Sequence, residues 1–116
     1  MSTDRTAALA ALRDALGASL SLDPGELDSA RSDKSGQRLA DAPLAIVHAA
    51  SVADVQAALR IASTHRLPVV PRGAGTGLAG GAMAGGDRLV LSTARMTRIH
   101  EIDVVDQVAV VEPGVI

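Results

Sequence analysis

Seven of the 11 glycines fall within the 14 residues from Gly73 to Gly86, directly after the short apolar run LPVVP at 67–71. Glycine has no Cβ and reaches positive φ without steric cost, so backbone in such a stretch can come within hydrogen-bonding range of a ligand. Successive N–H groups can then converge on one anion, a concave nest suited to a diphosphate. Within PRGAGTGLAGGA, Pro71 to Ala82, Thr76 adds a hydroxyl and Arg72 adds a positive charge at the mouth. A plain hairpin turn needs one or two glycines. The density here calls for something the backbone approaches closely.

Two phosphate-binding loops with known spacing serve as tests. The pattern G-x-x-x-x-G-K-[ST] fails, because Gly75 and Gly80 are followed by Gly81 where lysine is required. The dinucleotide fingerprint G-x-G-x-x-G is formally met by Gly75, Gly77 and Gly80, but the next residues, GAMAGGD, are too rich in glycine to open the helix on which that motif depends. An acid about 20 residues further on exists as Glu101 or Asp103, yet the intervening segment reads as strand and loop. The three histidines, His48, His65 and His100, lie outside the loop and lack the spacing of metal ligands, and they read as surface or strand residues. Asp103 and Asp106 read as turn and strand-edge groups. No acid–base pair, nucleophile arrangement or metal site can be assembled, so no residue is assigned a catalytic role.

The elements that position the loop follow from periodicity. Leu9, Leu12 and Leu16 recur at helical spacing in an Ala-rich segment, predicting a helix from about Asp4, as N-cap, to about Gly17. From Ser19 to Pro43 the sequence turns to Ser, Asp, Gly and charges without a period, which predicts an irregular surface connector. Leu44 to His48 reads as a strand, and Ser51 with Asp54 three residues on is a helix start. Val55, Leu59 and Ala62 form one stripe of the helix over 52–65, which Pro68 is expected to stop. LPVVP gives a second strand, so strand, helix and strand form a βαβ unit. Beyond the loop, Arg88 to Leu91 and Arg98 to Asp103 read as strands, and Val104 to Val111 as two apolar stretches about a turn at Asp106 and Gln107. The fold class is α+β, a βαβ unit followed by short β-strands.

Bulk properties narrow the classes further. A chain of 116 residues can bury roughly two-thirds of its unfolded surface around one core. With 47% hydrophobic residues it is too apolar for a disordered tail, and no apolar run approaches the ~20 residues of a membrane span. Absence of Cys removes disulfides, thiolate metal sites and a thiol nucleophile. The net charge of -2 with interspersed signs, and the absence of Phe, Tyr and Trp, argue against nucleic acid as a partner. The same lack of aromatics predicts modest stability. Asp4 and Asp14 among the first residues do not fit a secretory leader, which favours the cytoplasm.

The order of three blocks, LPVVPRGAGTGLAGGA (67–82), RLVLSTARMTRIHEID (88–103) and VAVVEPGV (108–115), resembles the vanillyl-alcohol oxidase or PCMH-type FAD-binding domain. The segment 43–65 resembles the entry to the same domain, and GTGLAGGA is most similar to the glycolate oxidase FAD-subunit and D-lactate dehydrogenase branch. The resemblance covers about residues 25 to 116. It implies that the fold is the first subdomain of that domain, with an N-terminal helix and irregular segment over 1–42 and the flavin-binding part over 43–116. It further implies that backbone groups of Gly73, Ala74, Gly75, Thr76 and Gly77, continuing to Leu78, cradle the FAD pyrophosphate. Pro71 and Arg72 would shape the entry, Arg72 either touching the ligand or serving structurally, and Pro113 and Gly114 would lie beside the flavin. Where some relatives carry a covalently attached His, this chain has Thr76, which implies non-covalent FAD. The resemblance implies a small-molecule substrate of the D-2-hydroxy acid class, glycolate or D-lactate, and an electron-transfer subunit as a candidate partner. The end at Val115-Ile116, directly after a strand and turn, reads as a truncation, with catalytic residues expected beyond Ile116 and the chain inactive alone. The alternatives are a small nucleotide- or phosphate-binding module without redox activity and a non-functional fragment.

Overall fold

The computed structural model describes residues 3–116. Helix α1, Thr3–Leu16, turns Ala8, Leu9, Leu12 and Leu16 into the core at the expected helical spacing. Asp4, expected as the N-cap, instead lies in the first turn, where its charge meets the positive end of the helix dipole. The cap position itself lies outside the described residues.

The segment expected to be an irregular connector carries two elements. Strand β1, Leu20–Ser21, pairs antiparallel with β2, and helix α2 spans Pro24–Ser29. Its start uses residues suited to that place: Asp23 caps by accepting from the Glu26 N–H at 3.0 Å, Pro24 needs no N–H partner, and Glu26 sits in the first turn. His48 Nε2 lies 3.1 Å from Glu26 Oε2, and the Ser21 hydroxyl donates to the same oxygen, tying α2 to the sheet.

Strand β2, Ala45–His48, leads through the Ser51 cap into helix α3, Val52–Thr64. Ser51 Oγ accepts from the Asp54 N–H at 3.2 Å, and Asp54 in return accepts from the Ala50 N–H at 2.9 Å. The helix stops before Pro68. Arg66 turns left-handed at φ 52°, the Leu67 N–H closes on the Ala62 carbonyl at 2.8 Å, and the Leu67 side chain is buried beneath the turn.

Strand β3, Val69–Arg72, and strand β4, Leu89–Ser92, complete a four-stranded sheet of order β1-β2-β4-β3 in which β2, β4 and β3 run parallel. The βαβ unit is therefore present with β4 inserted between its two strands. Alternate residues serve two cores. Ala45, Val47, Leu89 and Leu91 pack under α1 and α3, while Ile46 and Val90 face Ala30 and Ala84 on the opposite side. Burial on both faces explains why AIVH and LVLS read as continuous apolar runs.

Strands β5, Ile99–Asp103, and β6, Val108–Val111, form a separate antiparallel hairpin. The turn expected at Asp106 and Gln107 is longer than two residues and takes in Val104 and Val105, which read as an apolar stretch before it. Asp103 Oδ1 accepts from the N–H groups of Val105 and Asp106, both at 2.9 Å, and Gln107 at φ 57° occupies the left-handed position that glycine usually takes. The ribbon is exposed along both strands. Its base is fastened by the Arg98 N–H donating to Glu112 and the Glu112 N–H donating to the Arg98 carbonyl.

Leu12 is fully buried in the core it shares with β2 and β4. Replacing it with alanine is expected to lower unfolding stability by about 2–5 kcal/mol, read from the midpoint of urea denaturation.

Candidate functional site

The glycine-rich segment leaves the carboxyl end of β3. There Arg72 stands level with Ser92 of β4, and Ser92 with His48 of β2. Crevices outside the carboxyl ends of parallel strands are where ligands bind in such sheets. The segment 73–88 then returns to β4, the parallel neighbour, without a helix or strand.

The Arg72 side chain is turned toward the connector and the far part of the loop. Its Nη1 donates to the carbonyl oxygens of Ser32 and Ala82, each at 3.0 Å, and its Nη2 to that of Ser29 at 3.4 Å. The guanidinium thus fixes the loop to the connector. Gly75 closes over it with φ 71°, and a Cβ at that position would overlap the guanidinium nitrogen. The backbone angle favours glycine, and a side chain there would also have to push the guanidinium away from the carbonyl oxygens it holds.

The connector holds the far side of the loop. The Lys34 N–H donates to the Gly77 carbonyl at 3.0 Å, and Asp33 Oδ2 accepts from the Gly80 N–H at 2.9 Å. The other Asp33 oxygen accepts from the Ser35 N–H at 2.8 Å. Hydrogen bonds from the Ser35 side chain, then from the Ser35 and Gly80 N–H groups, hold the Asp33 carboxyl below the usual carboxylate range, with the Arg72 charge adding to them. Sequence reasoning left Asp33 and Lys34 in the irregular connector. The Asp-x-Ser spacing of Asp33 and Ser35 marks a local turn, but nothing in it points to Gly80, 47 positions away.

Between these two anchors, from Gly73 to Ala79, no backbone N–H donates to a protein acceptor among the described residues. Thr76 and Leu78 project from this run into solvent. Consecutive unpaired amides, held in shape from behind, suit an anion with several acceptor oxygens, and a diphosphate fits that donor set.

Pro113 and Gly114 come against the start of the loop. With Gly73, Ala74, Ala94 and Val115 they line a cavity of about 110 Å³. Gly114 is packed so closely on the turn after β4 that a Cβ would overlap the carbonyl oxygens of Thr93 and Met96, and its N–H donates to the latter at 2.8 Å. A larger cavity, about 420 Å³, opens on the other side of the loop between Leu78, Gly80 and Met83 and the connector residues Ser35 and Gln37. Pro71 lies exposed within β3, before both.

No acid–base centre accompanies these walls. His48 pairs with Glu26, His65 caps α3 and His100 lies in β5. Among the described residues no group of three His, Cys, Asp or Glu could hold a metal ion, and no helix is long and apolar enough to cross a membrane.

Comparison with known proteins gives consistent matches. The family described as FAD binding domain matches residues 43–116. D-2-hydroxyglutarate dehydrogenase of Stutzerimonas stutzeri is 40% identical over 80 residues, covering 69% of this chain and 17% of the relative. The glycolate oxidase subunit GlcD of Bacillus subtilis is 42% identical over 74 residues, covering 64% and 16%. The chain thus spans about a sixth of the length of these relatives. The solved structure of p-cresol methylhydroxylase with substrate bound matches with a TM-score of 0.80 and 26% identity, over 99% of this chain and 23% of that one. The expected PCMH-type architecture is therefore the observed one.

Because three backbone oxygens crowd the site of a Gly114 side chain, Gly114→Ala is expected to cost about 1–3 kcal/mol, measured as a lowered denaturation midpoint.

Proposed function

The chain belongs to the FAD binding domain family, and from that premise we propose that its loop of free amides holds the diphosphate of FAD for a flavin-dependent oxidoreductase of D-2-hydroxy acids. The observation that carries the reading is the run of N–H groups from Gly73 to Ala79 that no protein acceptor uses, which leaves β3 at one end and is held past the other by Asp33 at Gly80 and Arg72 at Ala82. FAD is the family's cofactor, and when bound it supplies a two-electron acceptor.

The chain's residues bind and orient. The amides of Gly73, Ala74, Gly75, Thr76 and Gly77, continuing to Leu78, meet the diphosphate oxygens, and the Thr76 hydroxyl adds a donor. Arg72 keeps the backbone of the loop in place from beneath, and Pro71 sets the direction in which the loop leaves β3. Pro113 and Gly114 form the wall beside the flavin, with the backbone at Gly114 drawn tight against the turn after β4. The loop contains no His, so nothing in it can attach FAD through an imidazole, which supports non-covalent binding at this loop.

The substrate class is supported by relatives whose names are D-2-hydroxyglutarate dehydrogenase, glycolate oxidase subunit and D-lactate dehydrogenase. No residue described above abstracts a proton or polarises a hydroxyl group, so the reading assigns substrate chemistry to residues outside this chain and no turnover to the chain alone. A cytoplasmic protein passing electrons onward, with an electron-transfer subunit as candidate partner, completes the proposal.

Titration with FAD tests it. The expected result is a yellow complex from which heat or acid releases FAD of unaltered mass, with Gly75→Val weakening binding at least about tenfold while the far-UV circular dichroism is retained. A folded, colourless protein that binds pyrophosphate or ADP as tightly as FAD would identify a phosphate-binding module instead.

A further inference from the structure

The glycine loop is held by more than its own sequence. Between Ala30 and Asp33 the connector runs along it and contacts it repeatedly: the Ala30 carbonyl accepts from the Ala84 N–H at 2.9 Å, the Ser32 carbonyl from Arg72 at 3.0 Å, and Asp33 from the Gly80 N–H at 2.9 Å. Only the last of these depends on a connector side chain. A carboxylate has two acceptor oxygens, and Asp33 uses one to stiffen its own turn at Ser35 and the other to hold the loop. Next to it, the Lys34 N–H takes the Gly77 carbonyl at 3.0 Å. That bond turns one peptide group of the loop so that its oxygen faces the connector, and in the planar trans peptide the N–H of Leu78 then points the opposite way.

We propose that Asp33 is a positioning residue for the cofactor, its carboxylate holding the glycine loop in the shape that presents the amides of Gly73 to Ala79 to the FAD diphosphate. The inference rests on the functional reading above for the identity of the ligand, while the positioning of the loop is a property of the protein alone. An anion-binding loop without secondary structure loses affinity when it must be ordered at the moment of binding. Asp33 removes part of that cost in advance. It touches no ligand atom itself, and it acts through Gly80 and, by way of its neighbour, Gly77.

The full chain, as wild type and as Asp33→Asn, tests this by two readouts: FAD affinity, and amide hydrogen exchange at Lys34 and Gly80 without ligand. Asparagine keeps the size of the side chain but replaces one acceptor oxygen with an NH2 group that faces an N–H donor. FAD affinity is expected to fall about tenfold, and exchange at both amides to rise, with the thermal midpoint within a few degrees of wild type. Asp106→Asn, the same change of charge in the hairpin turn, is expected to alter neither. Asp33→Ala, which removes both acceptor oxygens, should weaken binding and protection at least as much, and serves in place of Asp33→Asn if that variant does not fold. Unchanged affinity and unchanged exchange in the variants would overturn the proposal, as would Lys34 and Gly80 amides that exchange without protection in the wild type. If the wild type binds no FAD, the functional reading fails, and the exchange data alone decide whether Asp33 orders the loop.

Discussion

Two neighbouring parallel strands cannot be joined by a tight turn, because the chain must travel back along the whole sheet before it starts the second strand. Between β3 and β4 that return is made by residues 73–88, without a helix to satisfy the backbone. The rest of the site follows from this constraint. Backbone groups in such a crossover must be paired by something, and here the pairing divides cleanly. Carbonyl oxygens of the crossover and of the connector are taken by Arg72 and Lys34, and the Gly80 N–H by Asp33. The N–H groups from Gly73 to Ala79 remain without a protein acceptor. A helical crossover would have used those donors internally.

The scaffold manages this without an aromatic side chain. Small residues allow close approach: Ala58 and Ala62 of α3 lie fully or nearly fully buried over Leu89 and Leu91, and Ala30 and Ala84 do the same on the opposite face. Packing density can be as high with alanine and leucine as with phenylalanine, although each residue buries less area. The hairpin is the exception. Its strands expose Ile99, Ile102 and Val108, and its order depends on the fastening at Arg98 and Glu112.

What the sequence shows plainly are the features set by local period and punctuation. Leu9, Leu12 and Leu16, the Ser51 cap with Asp54, and the apolar runs of β2, β3 and β4 each declare their element through neighbours a few positions away. The cluster of glycines marked the long crossover loop between β3 and β4 for the same reason. The connector was illegible because its partners are distant and largely main-chain. Every residue has a carbonyl, so Ser29, Ser32 and Ala82 carry no mark that Arg72 will find them. Residue type showed the charge of Arg72 but not its direction. The start of α2, with Asp23, Pro24 and Glu26, was present as a signal, but its six residues leave no room for a period to develop. In the hairpin, the apolar Val104 and Val105 hid the length of the turn that Asp103 and Gln107 impose.

The inward commitment of Arg72 has a consequence for how an anion arrives. The loop's own cation is engaged with three carbonyl oxygens, and the chain carries a net charge of -2. Hydrogen bonds to neutral carbonyl groups leave the guanidinium its full charge, but that charge is set against the Asp33 carboxylate, whose ionised form it favours. Seen from a distance the two largely cancel, and what an anion outside the loop would meet first are N–H dipoles, whose attraction decays faster with distance than that of a charge. Capture would then depend more on shape than on long-range steering, and an ionic atmosphere would have little net field to screen.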